Sequence, residues 1–314
     1  MNARGQNSFH RVAILLGLFV GALVCATSQP AMAQLPDVSD QYTIQVIEPP
    51  AGTSEIWWTW INEAGLVVMQ YFTPEAGGQG HTGILEKGIW TDVDVPGSVW
   101  CGGSAPSASG RVGLTYAGED GVWHATIYHH GTYTPVPDHP VYQFTIGSMS
   151  DHGLMAAQAF LPDEPEVWHG LLVNTSLSLF EVFDPPDSKC TLAFGINNAG
   201  LIVGEYFLGG YYVEPRHGFL YDGENFTTID VPGAVGTCPC SINNGGDIGG
   251  LYGDSDGNWW GFLLLDGEFK SFTIPESTFN SVDSITDRGQ LSGEFVDGDG
   301  NWHGYIATPK HGRK

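Results

Sequence analysis

The stretch Gly195-Ile196-Asn197-Asn198-Ala199-Gly200-Leu201-Ile202-Val203-Gly204-Glu205-Tyr206 decides the fold. Its first half is a tight turn: Asn side chains satisfy turn backbone locally, and Gly200 supplies the positive φ that such a turn needs. Its second half alternates in the period-2 pattern of a half-buried strand. The turn recurs as Asn62-Glu63-Ala64-Gly65, Ser107-Ala108-Ser109-Gly110, Ser150-Asp151-His152-Gly153, Asn243-Asn244-Gly245-Gly246 and Thr286-Asp287-Arg288-Gly289. The six turn glycines stand 45, 43, 47, 46 and 43 residues apart. A period near 45 residues belongs to propeller blades.

Two more strands follow each turn. One opens on a His-Gly-aromatic pattern, as in His217-Gly218-Phe219, Trp260-Gly261-Phe262 and His303-Gly304-Tyr305, and His81, His124 and His169 begin the other copies. In two copies it ends on the hairpin signals Asp222-Gly223 and Asp266-Gly267. The last strand reads Phe226-Thr227-Thr228-Ile229-Asp230-Val231-Pro232-Gly233, matched by Trp90-Thr91-Asp92-Val93-Asp94-Val95-Pro96-Gly97. Pro at its end stops the ladder. Four strands per repeat make one blade. Near the start, Tyr42-Thr43-Ile44-Gln45-Val46 resembles a fourth strand, whereas the last repeat stops after its third, Trp302-His303-Gly304-Tyr305-Ile306. The expectation is an all-β, six-bladed β-propeller of four-stranded blades, closed by the N-terminal strand pairing with the C-terminal blade. An open solenoid would instead want distinct capping repeats.

Composition fits. Gly is 44 of 314 residues, roughly double the usual share of about 7%. Residues 1–33 read as a secretory signal peptide, with Arg4 and Arg11, the apolar run Val12 to Ala26, and the cleavage box Ala31-Met32-Ala33. The bulky Val24 before Cys25 fits a lipid-attachment site badly. Residues 34–314 then form one propeller domain, in an extracellular or periplasmic protein. That domain carries nine Lys and Arg against 35 acids, a formal charge of −26. So acidic a chain is a poor partner for nucleic acid, whose affinity comes largely from Lys and Arg on phosphates. It suits cations, neutral polymers or plain solubility. No later stretch is long and apolar enough for a membrane helix, and a monomer is expected.

The repeat resembles that of the bacterial extracellular HAF-repeat proteins, named for a His-Ala-Phe tripeptide. Here that tripeptide stands as His217-Gly218-Phe219, His303-Gly304-Tyr305 and His124-Ala125-Thr126, and Gly195-Ile196-Asn197-Asn198-Ala199-Gly200 also fits. The likeness is strongest from about residue 190 onward, and the second and third copies lack Ile-Asn-Asn. The resemblance implies export and a repeat fold, and it brings no catalytic residues.

If the Ile-Asn-Asn segment is each blade's inner strand, the Asn turns share one face. The loops entering the inner strands share the other, here called the top. The recurring His residues read as fold residues holding a backbone or Asp hydrogen bond, and the Trp before them (Trp123, Trp168, Trp259 and Trp302) as packing. Departures from the repeat are better site candidates: Trp57, Trp58 and Trp100, with Tyr211 and Tyr212 beside Glu214. Flat aromatic faces suit sugar rings or apolar polymer units. Trp60 reads equally well as sheet packing. Asp254, Asp256, Asp297 and Asp299 lie in matching loops that resemble the start of a calcium loop, without the distal Glu of an EF-hand. Four cysteines remain after cleavage, Cys101, Cys190, Cys238 and Cys240. Disulfide is the default outside the cell, with Cys190 bridged to Cys238 or Cys240, and the Cys190–Cys238 pair is taken as the working choice. A Cys-Pro-Cys metal site is the minority alternative. Gly78-Gln79-Gly80-His81-Thr82-Gly83 matches a dinucleotide pattern by letter only, without the strand–turn–helix context.

Two functions stay open. The first is binding of an extracellular ligand, a polysaccharide or surface partner, through the top face. The second is a polymer-degrading hydrolase or lyase at the channel mouth, using carboxylates such as Glu119, Asp120, Asp163, Glu164 and Glu166.

Overall fold

The computed structural model describes residues 35–74, 79–119, 121–210 and 215–311. The expected signal peptide, Tyr211 and Tyr212 lie outside the described residues. Six antiparallel sheets follow one another along the chain. Blade 1 is Glu55–Ile61, Val67–Thr73, Gln79–Glu86 and Ile89–Asp92. Blade 2 is Trp100–Gly103, Val112–Ala117, Trp123–His129 and Thr132–Val136. Blade 3 is Gln143–Met149, Leu154–Leu161, Glu164–Asn174 and Leu179–Phe183. Blade 4 is Cys190–Ile196, Ile202–Phe207, Arg216–Tyr221 and Phe226–Thr228. Blade 5 is Gly236–Ile242, Ile248–Gly253, Trp259–Leu265 and Glu268–Phe272. Blade 6 has a broken inner strand, Phe279–Asn280 and Ser284–Ile285, then Leu291–Val296 and Trp302–Pro309. Its fourth strand is Tyr42–Ile47, paired antiparallel from Tyr42 opposite Pro309 to Ile47 opposite Gly304. The six-bladed, N-terminally closed propeller expected from the sequence is the fold.

The clasp is longer than the sequence announced. Val38 N–H donates to Ser271 O at 3.1 Å, and Ser271 N–H donates to Pro36 O at 3.0 Å. The N-terminal segment therefore edges blade 5 before completing blade 6.

The core lies between blades. Ile56 and Met69 of blade 1 meet Ile47, Trp302 and Ile306 of blade 6. Trp60 and Val68 meet Cys101, Val112 and Leu114 of blade 2. The same layering joins Ala125 to Phe144, Ala156 to Ile202, Val203 to Ile248, and Phe272 to Tyr305. Each blade's sheet is thus covered by its neighbours, which is why one repeat alone could not bury its apolar face.

The turns do two jobs. All six turn glycines, Gly65, Gly110, Gly153, Gly200, Gly246 and Gly289, have φ between 77° and 87°. Within each turn the first side chain accepts backbone N–H: Asn197 Oδ1 takes Ala199 and Leu201, both at 3.0 Å. Asn has a donor left over, and it reaches the next blade. Asn62 Nδ2 donates to Ser107 O, Asn197 Nδ2 to Asn243 O, and Asn243 Nδ2 to Thr286 O. The second turn residue links in the same direction: Asp151 N–H to Asn198 Oδ1, Asn198 N–H to Asn244 Oδ1, Asn244 N–H to Asp287 Oδ1, and Asp287 N–H to Glu63 Oε1. Arg111 bridges blades 2 and 3 through Asp151 O. A belt of hydrogen bonds thus rings this end of the axis.

Candidate ligand-binding mouth

The axis opens at both ends. The end opposite the top is lined by the six turns, including Asn62, Ser107, Asp151, Asn198, Asn244 and Asp287. Its polar groups are largely spent on the belt. The top opens into a small cavity of about 80 Å³.

Trp57, Trp58 and Trp100 line that cavity together, as do Trp60, Trp123, Trp168 and Phe194. Trp58 stacks on Trp60 with centroids 5.7 Å apart and planes 5° from parallel. It also sits 5.6 Å from Phe194. Trp100 meets Trp123 at 4.8 Å. The sheet-packing reading holds for Trp60, which is buried. It is incomplete for Trp123 and Trp168, which pack and also face the cavity. Trp259 and Trp302 pack elsewhere, with Trp259 under the Arg216 guanidinium at 4.4 Å.

Inner-strand bulges shape this wall. The register slips between Ile56 and Trp58, between Ile146 and Ser148, between Ala193 and Gly195, and between Pro239 and Ser241. The extra residues are Trp57, Gly147, Phe194 and Cys240, and all four line the cavity. A bulge re-aims a side chain that a regular strand would bury in the sheet.

The polar groups of the wall escaped the sequence reading. Gln70, Thr115, Thr145 and Gln158 line it. Gln158 donates to Ala193 O and accepts from Thr145. Thr115 Oγ1 accepts Ile146 N–H at 3.0 Å. Gln70 is a buried residue whose side chain lines the cavity. A signal existed. The residue five places after each turn glycine is Gln70, Thr115, Gln158, Glu205, Leu251 or Glu294, so five of six copies put a polar side chain on a buried strand position.

Among the described residues, no Asp, Glu, His, Lys or Arg lines the top cavity. Glu119, Asp163, Glu164 and Glu166 are exposed and stand outside it. Asp283 and Glu294 do converge, but they are buried and line neither mouth. Asp283 Oδ2 accepts Thr59 N–H at 3.0 Å. Burial raises the Asp283 carboxyl to about 6 and pushes Glu294 well above its usual range, where the neighbouring Asp283 charge adds to the effect.

The His residues hold acids, as expected. Nδ1 of His81, His124, His169 and His217 lies 2.6, 3.1, 2.7 and 2.7 Å from Asp94, Asp138, Asp184 and Asp230. The acidic loops are knit inward. Asp254 Oδ1 accepts the Asp256 and Asn258 N–H groups, and Asp297 Oδ1 accepts those of Asp299 and Asn301, all at 2.9 Å. The calcium expectation at Asp254, Asp256, Asp297 and Asp299 therefore meets donors already engaged, and no group of three or more His, Cys, Asp and Glu converges among the described residues.

The Cys190–Cys238 disulfide is a correction. All four thiols are free and buried. Cys190 packs with Phe160, Trp168 and Phe207, whereas Cys238 packs with Cys240, Leu251 and Trp259. The two sulfurs belong to different layers. Burial raises the Cys190 thiol to about 12.

No helix among the described residues is long and apolar enough to cross a membrane. No protein-family model matches the chain, and no curated protein matches it. Solved structures do. The β-propeller domain of the trilobed protease from Pyrococcus furiosus aligns with a TM-score of 0.53 at 10% identity, over 83% of this chain and 97% of that one. AofleA from Arthrobotrys oligospora aligns at 0.52 and 11%, over 90% and 95%. TolB from Acinetobacter baumannii aligns at 0.51 and 12%, over 84% and 66%. The Pyrococcus domain is described as having an open velcro topology, whereas here the first strand closes the last blade. At such identities the likeness is one of fold, and this chain is a β-propeller.

Proposed function

We propose that this propeller binds an extracellular carbohydrate in the top cavity, as an exported protein of the HAF-repeat type. The observation that carries the reading is the cavity wall: among the described residues it has seven aromatic rings and four neutral hydrogen-bonding side chains, without one charged group, in a chain of formal charge −24. Carbohydrate recognition combines apolar ring faces with a few oriented polar groups, and half-buried Trp rings plus Gln70, Thr115, Thr145 and Gln158 supply both. Acid–base hydrolysis needs two carboxylates flanking the scissile bond, and the described residues of the wall offer none. The hydrolase or lyase reading is therefore the weaker one.

Pull-down of the exported protein on insoluble polysaccharides, followed by a glycan array, tests this. Retention on at least one neutral glycan is expected, together with its loss in a Trp58→Ala, Trp100→Ala double variant. Equal retention of both proteins overturns the site. N-terminal sequencing of the secreted chain should begin at Gln34, and a retained leader overturns the export reading.

A further inference from the structure

The floor of the top cavity holds a second chemistry. Cys238 and Cys240 flank Pro239 on the inner strand of blade 5. Residues two apart in a regular strand share a face but stand about 6–7 Å apart. Here the bulge at Cys240 turns the side chains together, and the sulfurs lie 3.8 Å apart. Pro239 has no N–H to lose from the ladder, so it tolerates the irregular position. Both thiols are buried in an apolar pocket formed with Leu251, Trp259, Trp58, Phe194 and Phe279. Cys240 also lines the cavity.

We propose that Cys238 and Cys240 form a two-sulfur site for a soft monovalent metal ion, of which Cu(I) is the physiological example. Thiolates select Cu(I) by softness. Two metal–sulfur bonds of roughly 2.3 Å each would span this gap at a bent angle, or straight once the sulfurs separate by about 0.8 Å more. Zinc in structural sites takes four ligands, and no third His, Cys, Asp or Glu joins the pair among the described residues. Oxygen-seeking Ca²⁺ and Mg²⁺ find no donors here. Loading breaks two S–H bonds, forms two metal–sulfur bonds and releases two protons to water, and no electron moves. The dithiolate complex carries one net negative charge, and it lies near the buried Arg216–Glu205 ion pair, whose two charges act on it in opposite senses.

The test titrates the full exported chain with Ag(I), a redox-inert probe, and with Cu(I) in competition with a chromophoric chelator, under reductant and without oxygen. One ion per chain, two protons released and a sulfur-to-metal charge-transfer band in the ultraviolet are expected. Cys238→Ser and Cys240→Ser should each remove the band, while a Cys101→Ser, Cys190→Ser variant keeps it. Thermal melts report whether each variant folds, and X-ray absorption on the unmutated protein reads two sulfur neighbours independently of any variant. Binding that survives Cys240→Ser overturns the proposal, as does equal affinity for Zn²⁺. Recovery of the pair as a disulfide from freshly exported protein also overturns it.

Discussion

The His217–Asp230 contact shows what a recurring residue is for. Asp230 accepts from the ring at 2.7 Å and from Gly218 N–H at 3.1 Å, tying the end of the fourth strand to the start of the third. Blade 5 replaces both partners: Trp260 stands for the His, and Thr273 for the Asp. The pair is thus exchangeable as a unit. Asp230→Ala should cost about 0.5–1 kcal/mol, small because both side chains are partly exposed. The double variant His217→Trp, Asp230→Thr should cost less than the sum of its singles in urea unfolding. The structural role of these His residues was legible because the residue repeats blade by blade. The buried Asp283–Glu294 pair was not, since nothing in the sequence says which carboxylates share a layer. Its pH effect has a definite sign. Both carboxyls are raised in the folded chain, so their contribution is complete below the ordinary carboxylate range and is lost as pH rises through about 6 for Asp283. Cys240 and Tyr305 are the other titratable groups facing them. Glu294→Gln keeps an amide donor for Asp283 and removes one titration. Its stability relative to the unmutated chain should therefore improve steadily from pH 4.5 to 8 in urea unfolding, and parallel curves would sink the assignment.

At the scale of the strand, glycine and bulge act together. A Cβ at Gly204 would collide with the Leu192 carbonyl oxygen of the adjoining inner strand. Backbone cannot retreat as a flexible side chain can, so Gly204→Ala should destabilise blade 4 by about 1–3 kcal/mol. Gly298→Ala, with nothing nearer than Glu276 O at 4.0 Å and no positive φ, should leave the melting temperature unchanged. Strand identity was readable from alternation and turn chemistry, and every blade follows it. The bulges were not readable, because a bulge is a mismatch between two strands rather than a property of either. That gap explains the errors at the site. Trp57, Trp58 and Trp100 stand out as departures from the repeat, but Phe194 does not, and Cys240 reads as a disulfide or metal ligand in a loop rather than as part of the cavity wall. The disulfide misreading has the same origin: equivalent loop positions gave no measure of which layer each sulfur enters.

For the whole molecule, closure is the decisive feature. Thr43 and Thr308 face each other across the clasp, and both are exposed. A Thr43→Cys, Thr308→Cys staple should raise the melting temperature, and reductant should cancel the gain, because the bond closes nearly the entire chain into one loop. Removing residues 35–48 should do the reverse, leaving Trp302–Pro309 as an open edge and the blade 5 and 6 layers uncovered. Light scattering and a melt of the truncated chain would read this as aggregation and a lost cooperative transition. The offset of the clasp also separates two quantities that a simple ring would tie together. Both clasp strands lie outside the interval from Gly65 to Gly289 that carries the repeats. Duplicating or deleting one whole unit among blades 2 to 4 changes the circumference and leaves the fastening at blades 5 and 6 untouched. The chain is in this sense a buckled strap, whose length and whose buckle are inherited separately.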